Sequence, residues 1–544
     1  MPPISRPSLQ DVSYILIFLV GATELSPKVN SDLSSLIVEV FTKEFQNYSS
    51  PIITQVYSLK FLINFRLQIP VQFLSSVFEM LINILNGSGK VCQNACLITL
   101  EKILLMKDLN TSKFLAKDAL SDQTTFNNLT SSLLKLISSD MNIFAMRCFY
   151  RSLILTNQEF FKGIMVTLTP TIQSILKNIM ANSQQDEFNY FFFEIISLFM
   201  KKIAELDVKL VSQFEESVRN DLTTILTNSI TDLMGYTFQF FSLYLSLSND
   251  NSEHYNKLLQ SVLFDLNSWN INMIYMFNPF IAFLKVNLMK NPSFFNNQSI
   301  IDQIFKICQQ LHNLKCFKQI FEILDYLINF LNPLQFANSI TSFLAIVVKT
   351  LTENKKSNPK VYHELGAELL IFISKMIIKL KCESTLQILS SIGGMNLLAE
   401  LIDLILVIQG FNNKKLVYYS YCFFITSCNN IPLPLLNTIA KWLIMELPCS
   451  FKMTASLFRS KDNEDISYAA RNYNKVINAD VKVQIPDYVN IEKNEELQMF
   501  FNAASVLLNN LKINLVNNVK SELSNKDFLY IQSQAKKFNF PVAA

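Results

Sequence analysis

The sequence predicts an all-α protein: an α-solenoid of HEAT-like helical hairpins, stacked as an armadillo-like superhelix. Three observations predict it. Only 9 of the 544 residues are glycine, where average usage of about 7% would give several times more. So little glycine leaves few hairpin turns, phosphate loops or dinucleotide-binding crossovers. Half of the residues are hydrophobic, far more than one compact domain uses. Finally, apolar residues recur at helical spacing in paired runs, with breaks that repeat every roughly 40 residues. The 45 phenylalanines read as thick side chains filling the space between paired helices.

The stretch 51–107 shows the pattern best. Ile52 to Phe65 carries apolar residues at helical spacing, Gln68-Ile69-Pro70 breaks it, and Val71 to Leu85 repeats it. Asn86-Gly87-Ser88-Gly89 reads as a turn whose glycines supply backbone angles other residues resist. A further helix begins at Lys90 and runs to Met106. Upstream, Asp11–Ala22 and Ser31–Phe45 form a first pair around Ser26-Pro27, with Asp32 a candidate cap. Downstream, Asn110–Gln123 is a polar excursion with a short helix, and Phe126–Ile137 pairs with Phe144–Leu155. Gly163–Ala181 has a kink or boundary at Pro170, and Ser183–Asp186 turns into the aromatic helix Phe188–Leu206. Val208–Asn228 and Thr231–Leu247 follow, and Asn249–Glu253 is a turn.

The array continues with Tyr255–Leu266 and Asn272–Met289, Trp269 lying between them, and a loop at Pro292–Asn297. Ile300–His312 pairs with Phe317–Leu331; Pro333–Leu351 is a helix and Thr352–Pro359 a polar, lysine-bearing loop. Val361–Lys381 and Thr385–Gln409 come next, the latter interrupted at Gly393-Gly394, then Lys414–Cys428 and Leu433–Leu447. From Ser460 the character changes. Arg459–Asp465 is charged, Asp480–Pro486 is extended, Asn494–Leu511 is one more helix, and the tail after Lys520 is polar. The expected organisation is a HEAT-repeat array over 1–460 and a C-terminal helical cap and tail over 461–544.

Few residues offer chemistry. The three histidines, His254, His312 and His363, stand beside no nucleophile motif and form no H-E-x-x-H. His363 with Glu364 and Glu368 can be drawn as ligands on one helix face, but a solvated helix start after Pro359 accounts for them. No P-loop sequence occurs. Glu215-Glu216 and Glu495-Glu496 read as surface pairs on polar helix starts, where negative charge complements the helix dipole. Cys92 and Cys96 share a helix face with no further ligand nearby, so they read as core thiols. The nine cysteines and the lack of a secretory signal fit a reducing, intracellular setting. Tyr14–Ala22 is too short to cross a bilayer, which takes about 20 residues. A net charge of +3, with no basic cluster, gives no ground for a nucleic-acid partner. The expectation is a protein that binds a macromolecular partner along a row of helices, with no catalytic, metal-binding or cofactor-binding residue assigned and the partner-contact residues unknown.

Several stretches, in one order, resemble the C-terminal half of the CAS-type exportin (exportin-2) family of importin-β-like karyopherins. Val40–Phe45 resembles the end of a helix in that family, and Gln55–Arg66 (QVYSLKFLINFR) its next helix. Leu97–Leu104 (LITLEKIL) is similar to the family's A/L-I-T-hydrophobic-E-K-I-L run. Met146-Arg147 with Phe149-Tyr150-Arg151 resembles its M-R-x-hydrophobic-F/Y-R helix, and Phe188–Phe199 an aromatic helix carrying F-E. Trp269 falls where the family has a tryptophan. Glu464–Ala479 (EDISYAARNYNKVINA), followed by Ile485-Pro486-Asp487, resembles its closing segment. The resemblance implies a two-arched superhelix that holds importin-α and RanGTP for export from nucleus to cytoplasm, meeting nuclear pore components as it shuttles. It uses no cofactor and neither nucleic acid nor membrane insertion. In the family an N-terminal arch carries the main Ran-binding surface. Met1 opens almost directly into the second half, so a partial protein is expected, whether a partial gene product, a truncation or a domain. A generic HEAT-repeat scaffold for a phosphatase or chromosome complex, without Ran, is the alternative. An enzyme on a helical-repeat frame, such as a DNA-repair glycosylase, needs a basic groove with stacking aromatics and a positioned acid.

Overall fold

Successive amphipathic hairpins can bury their apolar faces only against one another, and the chain does this in two compact units. The computed structural model describes residues 52–108, 111–248, 253–265, 274–428, 431–440 and 493–511, with single positions between 476 and 541. The pairs expected before residue 46, the turn at 249–252, Trp269 and the charged stretch near 460 lie outside the described residues, as does the boundary expected at 460/461. One unit comprises 1–250 together with 472–481, and the other 251–471 together with 482–544. The described secondary structure is helical apart from one isolated bridge, Lys107 with Phe114.

Unit 1 contains α1 (Ile52–Asn64), α2 (Leu74–Gly87), α3 (Lys90–Leu104), the short α4 (Ala116–Ala119), α5 (Gln123–Asp140), α6 (Ile143–Leu155), α7 (Gln158–Ala181), α8 (Asp186–Leu206), α9 (Val208–Thr227) and α10 (Thr231–Leu247). Two rows result. Helices α2, α5, α7 and α9 pack in succession, and α1, α3, α6, α8 and α10 form the second row, each hairpin contributing one helix to each. Position in the rows explains composition. In α9, Val211, Phe214, Val218, Leu222, Ile225 and Leu226 make one buried apolar stripe, with Glu215 buried beside it, the amphipathic pattern of a helix covered on one side. In α8, by contrast, Phe188 through Met200 are all buried, and so are Leu233 through Leu245 in α10. A helix buried all round must satisfy its polar side chains internally, and here it does so partly through a distant segment.

Unit 2 repeats the scheme with α11 (Glu253–Asp265), α12 (Ile274–Lys290), α13 (Gln298–Asn313), α14 (Phe317–Phe330), α15 (Ala337–Ser357), α16 (Pro359–Leu389), α17 (Gly394–Leu401), α18 (Phe411–Ser427) and α19 (Lys493–Leu511). Helices α11, α13 and α15 form one row, and α12, α14, α16, α18 and α19 the other. Side-chain caps fix many starts: Asp122 accepts from the Thr125 amide at 2.8 Å, Asn142 from Ala145 at 3.1 Å, and Asn297 from Ser299 at 3.0 Å. Each satisfies one of the amide groups that a helix start leaves without a partner.

Four expectations are corrected. The polar stretch 352–357 is not a loop but the last turns of α15. Its side chains face mainly outward, its glutamate and lysines favour helix, and the lysines suit a C-terminal dipole. The helix stops where Pro359 bars helical geometry at Asn358, which has φ −145° and ψ 80°. Of the kink or boundary expected at Pro170, the boundary is excluded, since the residue neither ends nor starts a helix. It lies inside the 24-residue α7, on its exposed side, where the carbonyl it leaves unpaired can meet water. The turn at 86–89 does not use glycine's special angles, because positive φ among the described glycines occurs only at Gly393, Gly394 and Gly410. Glu215 is not a surface residue: it is fully buried in the body of α9, and its neighbour Glu216 is exposed.

Other breaks fall where the sequence places them. Lys381 interrupts α16 with φ 64° and ψ 168°. At Gly393 the segments 359–392 and 394–407 bend by 93°. Among the described residues no single helix is long and apolar enough to cross a membrane. That bent pair passes by composition, and its apolar residues Leu369, Leu370, Ile373, Leu398 and Leu401 are buried against neighbouring helices.

Candidate partner-binding surfaces

Each unit has a set of linked polar side chains on its second row. In unit 1, Glu101 of α3 and Arg147 of α6 face each other across adjacent hairpins. The guanidinium donates twice, Nη2 to Oε2 at 2.7 Å and Nε to Oε1 at 3.1 Å. Glu101 is 5% exposed and Arg147 20%, and Glu187 of α8 sits 3.6 Å from the other guanidinium nitrogen. This two-pronged geometry suits arginine and not lysine. One turn further along α6, the Tyr150 hydroxyl accepts from the Asn478 side-chain amide at 3.0 Å. On α8, Glu194 is fully buried. It takes a hydrogen bond from the Tyr190 hydroxyl at 2.8 Å, from the Asn478 backbone amide at 3.0 Å and from the Asn478 side chain at 2.7 Å. On α10, Gln239 accepts from the Val476 amide at 2.8 Å.

In unit 2 a groove of about 830 Å³ runs along α14 and α16. Phe321 and Phe372 form its apolar floor, ring centroids 5.5 Å apart. The polar wall is built on Asp325, which receives the Lys375 ammonium at 2.6 Å and the Asn329 side-chain amide at 3.2 Å. The Tyr326 hydroxyl donates to Glu322 at 2.5 Å, and Lys285 of α12 lies 4.6 Å over the Tyr326 ring, a cation–π distance. Burial pushes the Asp325 carboxyl above its ordinary range even though Lys375 and Lys285 pull it down. Burial likewise lowers Lys285 against the pull of Glu322 and Asp325. Glu368 is raised, mainly by burial, with Lys318 and Lys375 opposing.

The histidines His254, His312 and His363 sit on α11, α13 and α16 and are not brought together. His363 and Glu364 are exposed on the groove rim and Glu368 is half-buried. Among the described residues no group of three or more histidine, cysteine and acidic side chains is placed to hold a metal. Cys92 and Cys96 are buried core thiols. Cys96 donates to the Leu81 carbonyl at 3.3 Å, and burial raises both thiols above their ordinary range. Glu215 is held by Arg219, whose Nε lies 2.9 Å from both carboxylate oxygens; one helical turn of separation lets the pair close within α9. The Glu495 and Glu496 side chains lie outside those described. Sequence reasoning missed Glu194, Gln239, Asp325 and Lys375. A carboxylate inside an otherwise aromatic helix was the available signal for Glu194.

Comparison with known proteins agrees with this geometry. A family profile described as CAS/CSE protein, C-terminus, matches residues 101–504. Exportin-2 of Drosophila melanogaster is 27% identical over 232 residues, 42% of this chain and 23% of that protein. Exportin-2 of Homo sapiens is 26% identical over 208 residues, 38% and 21% respectively. Among solved structures, the exportin Cse1 in its cargo-free, cytoplasmic state superposes with a TM-score of 0.63 at 17% identity, covering 92% of this chain and 51% of that one. Kap121p bound to RanGTP superposes with a TM-score of 0.53 at 11% identity, covering 97% and 52%. The chain thus spans about half the length of these solved structures, and the sequence matches cover about a quarter or less of the curated relatives.

Proposed function

Because the chain belongs to the CAS/CSE protein family, matched over residues 101–504, we propose that it is a nuclear transport receptor of the CAS exportin type. In this reading it binds importin-α with RanGTP, carries it from nucleus to cytoplasm and meets nuclear pore components on the way. It acts by binding alone, without catalysis or cofactor. The continuous family match is the observation that carries the reading. The contacts within unit 1 add to it, since they join the very stretches that resemble the family: LITLEKIL to the M-R helix through Glu101 and Arg147, and the F-E helix to the closing segment through Glu194 and Asn478. We read 461–544 as a cap and tail of the array, on the support of α19 packing against α18, apart from Val476 and Asn478, which bond to helices of unit 1. The polar groove on α14 and α16 is the helical face on which a protein partner would rest, since a repeat array meets its partner through many small contacts.

The test is a binding assay on immobilised importin-α with the purified chain, alone and together with RanGTP and the N-terminal half of an exportin of this family. Addition of both is expected to strengthen binding at least tenfold, about 1.4 kcal/mol. Unchanged affinity overturns the reading. Capture from cell extract of phosphatase or chromosomal subunits, in place of importin-α and Ran, converts it to a scaffold.

A further inference from the structure

The groove on α14 and α16 holds one carboxylate that the fold leaves to an occupant. Glu368 is half-buried on the groove wall, and among the described residues no hydrogen bond or ion pair reaches it. Its neighbours are committed elsewhere. Asp325 receives the Lys375 ammonium at 2.6 Å, and Glu322 accepts from the Tyr326 hydroxyl at 2.5 Å. Lys318 and Lys375 act on Glu368 only through space. Glu364, one turn earlier on α16, has Lys360 at 4.0 Å, with both side chains mostly in water, a pairing of little worth. We propose that the groove takes an arginine side chain from a basic segment of a protein partner: Glu368 and Glu364 receive the guanidinium, and the Phe321–Phe372 floor receives the apolar stem. The inference rests on the reading of this groove as a partner face, whichever protein the partner is.

Three features carry it. The first is charge. Four carboxylates line the groove against three lysines. Lys375 is taken by Asp325, while Lys315 and Lys318 stand exposed beside the start of α14. The acidic surplus therefore falls on α16, and its complement is a cation. The second is spacing. Residues four apart on a helix are neighbours, about 5–6 Å between their Cβ atoms, so Glu364 and Glu368 make a pair of acceptors that a planar, five-donor guanidinium can bond together. The third is the floor. The Phe321 and Phe372 rings lie 5.5 Å apart, with Ile371 and Val407 also facing the groove. Such a surface suits a long apolar stem that ends in a charge, and a guanidinium gives up its water more readily than an ammonium does. At about 830 Å³ the groove has room for the side chain and the backbone around it, since ligand clefts run from about 300 to 1,000 Å³. Burial already disfavours the ionised Glu368, and a cation laid against it offsets that cost.

The probe is a labelled hexapeptide of alternating glycine and arginine, with lysine and citrulline versions, titrated by fluorescence anisotropy into the full chain at physiological ionic strength. The arginine peptide is expected to bind several-fold more tightly than the lysine peptide. Against the citrulline peptide, which keeps the shape and loses the charge, the expected margin is about tenfold. Glu368→Gln is expected to cut arginine-peptide affinity about tenfold without lowering the melting temperature, which separates lost binding from lost folding. Glu79→Gln, exposed on α2 of unit 1, is expected to leave it unchanged. Arginine bound no better than citrulline or lysine, unchanged affinity in E368Q, an equal loss in E79Q, or preference for an acidic peptide of the same length overturns the proposal. Importin-α applied to the same wild-type sample is a separate readout: its failure to bind overturns the transport reading and leaves the peptide result standing.

Discussion

Glu101 and Arg147 set the offset between two hairpins, because a bidentate pair tolerates little sliding. Removing one member of a buried pair leaves the other charge without its partner. Glu101→Ala is therefore expected to lower stability by about 3 kcal/mol, near the low end for such pairs because Glu187 stays close to Arg147; the urea midpoint followed by circular dichroism measures it. Glu368 works in the opposite sense. Its carboxyl is raised in the fold, chiefly by burial, so the ionised form is disfavoured there. That cost is present in full above the folded pKa and disappears below the unfolded value of about 4.3. Glu368→Gln is expected to raise the melting temperature at pH 7 and leave it unchanged below pH 4. Equal gains at both pH values would mean that packing, not charge, is responsible. Neither residue's environment can be read from local sequence. Glu215 reads as a surface residue because a doubled glutamate looks solvated until Arg219, one turn away, is seen to enclose it.

At the level of single helices, periodicity made most of the array legible, since every helix has to turn an apolar stripe toward its neighbours. The errors share a cause: local composition outvoted geometry. Lysines and a glutamate at 352–357 look like a loop, yet they extend α15 because nothing stops a helix before Asn358. Lys381 is the reverse case, a residue with strong helix preference held at φ 64° in a region costly for any side chain. Lys381→Gly is expected to stabilise unit 2 by about 1 kcal/mol, after allowing for glycine's greater freedom in the unfolded chain. A lower melting temperature in that variant would show that the break is not strained.

For the whole molecule, two rows of helices in each unit give mostly neighbour-to-neighbour packing, and this is why hairpin order in the sequence translated directly into order in space. The long-range exceptions were illegible. Nothing in the sequence around Val476 and Asn478 announces that these two residues will bond to α6, α8 and α10, because pairing across hundreds of residues leaves no periodic trace. The partner assignment belongs at this scale too. If importin-α binding resides in the second-row faces, charge reversal at Glu322 and Glu364 together should weaken it at least tenfold while circular dichroism stays constant. A double variant that binds normally would move the contact away from the α14–α16 groove.

The separation of 237 positions between Gln239 and Val476 also bears on biogenesis. At about 5 to 20 residues per second on the ribosome, roughly 10 to 50 seconds pass between emergence of α10 and arrival of its distant partner. Throughout that interval Gln239 lacks the Val476 amide, and Glu194 waits longer for Asn478, 284 positions downstream. They need a chaperone or a temporary coat of water until translation delivers the missing piece.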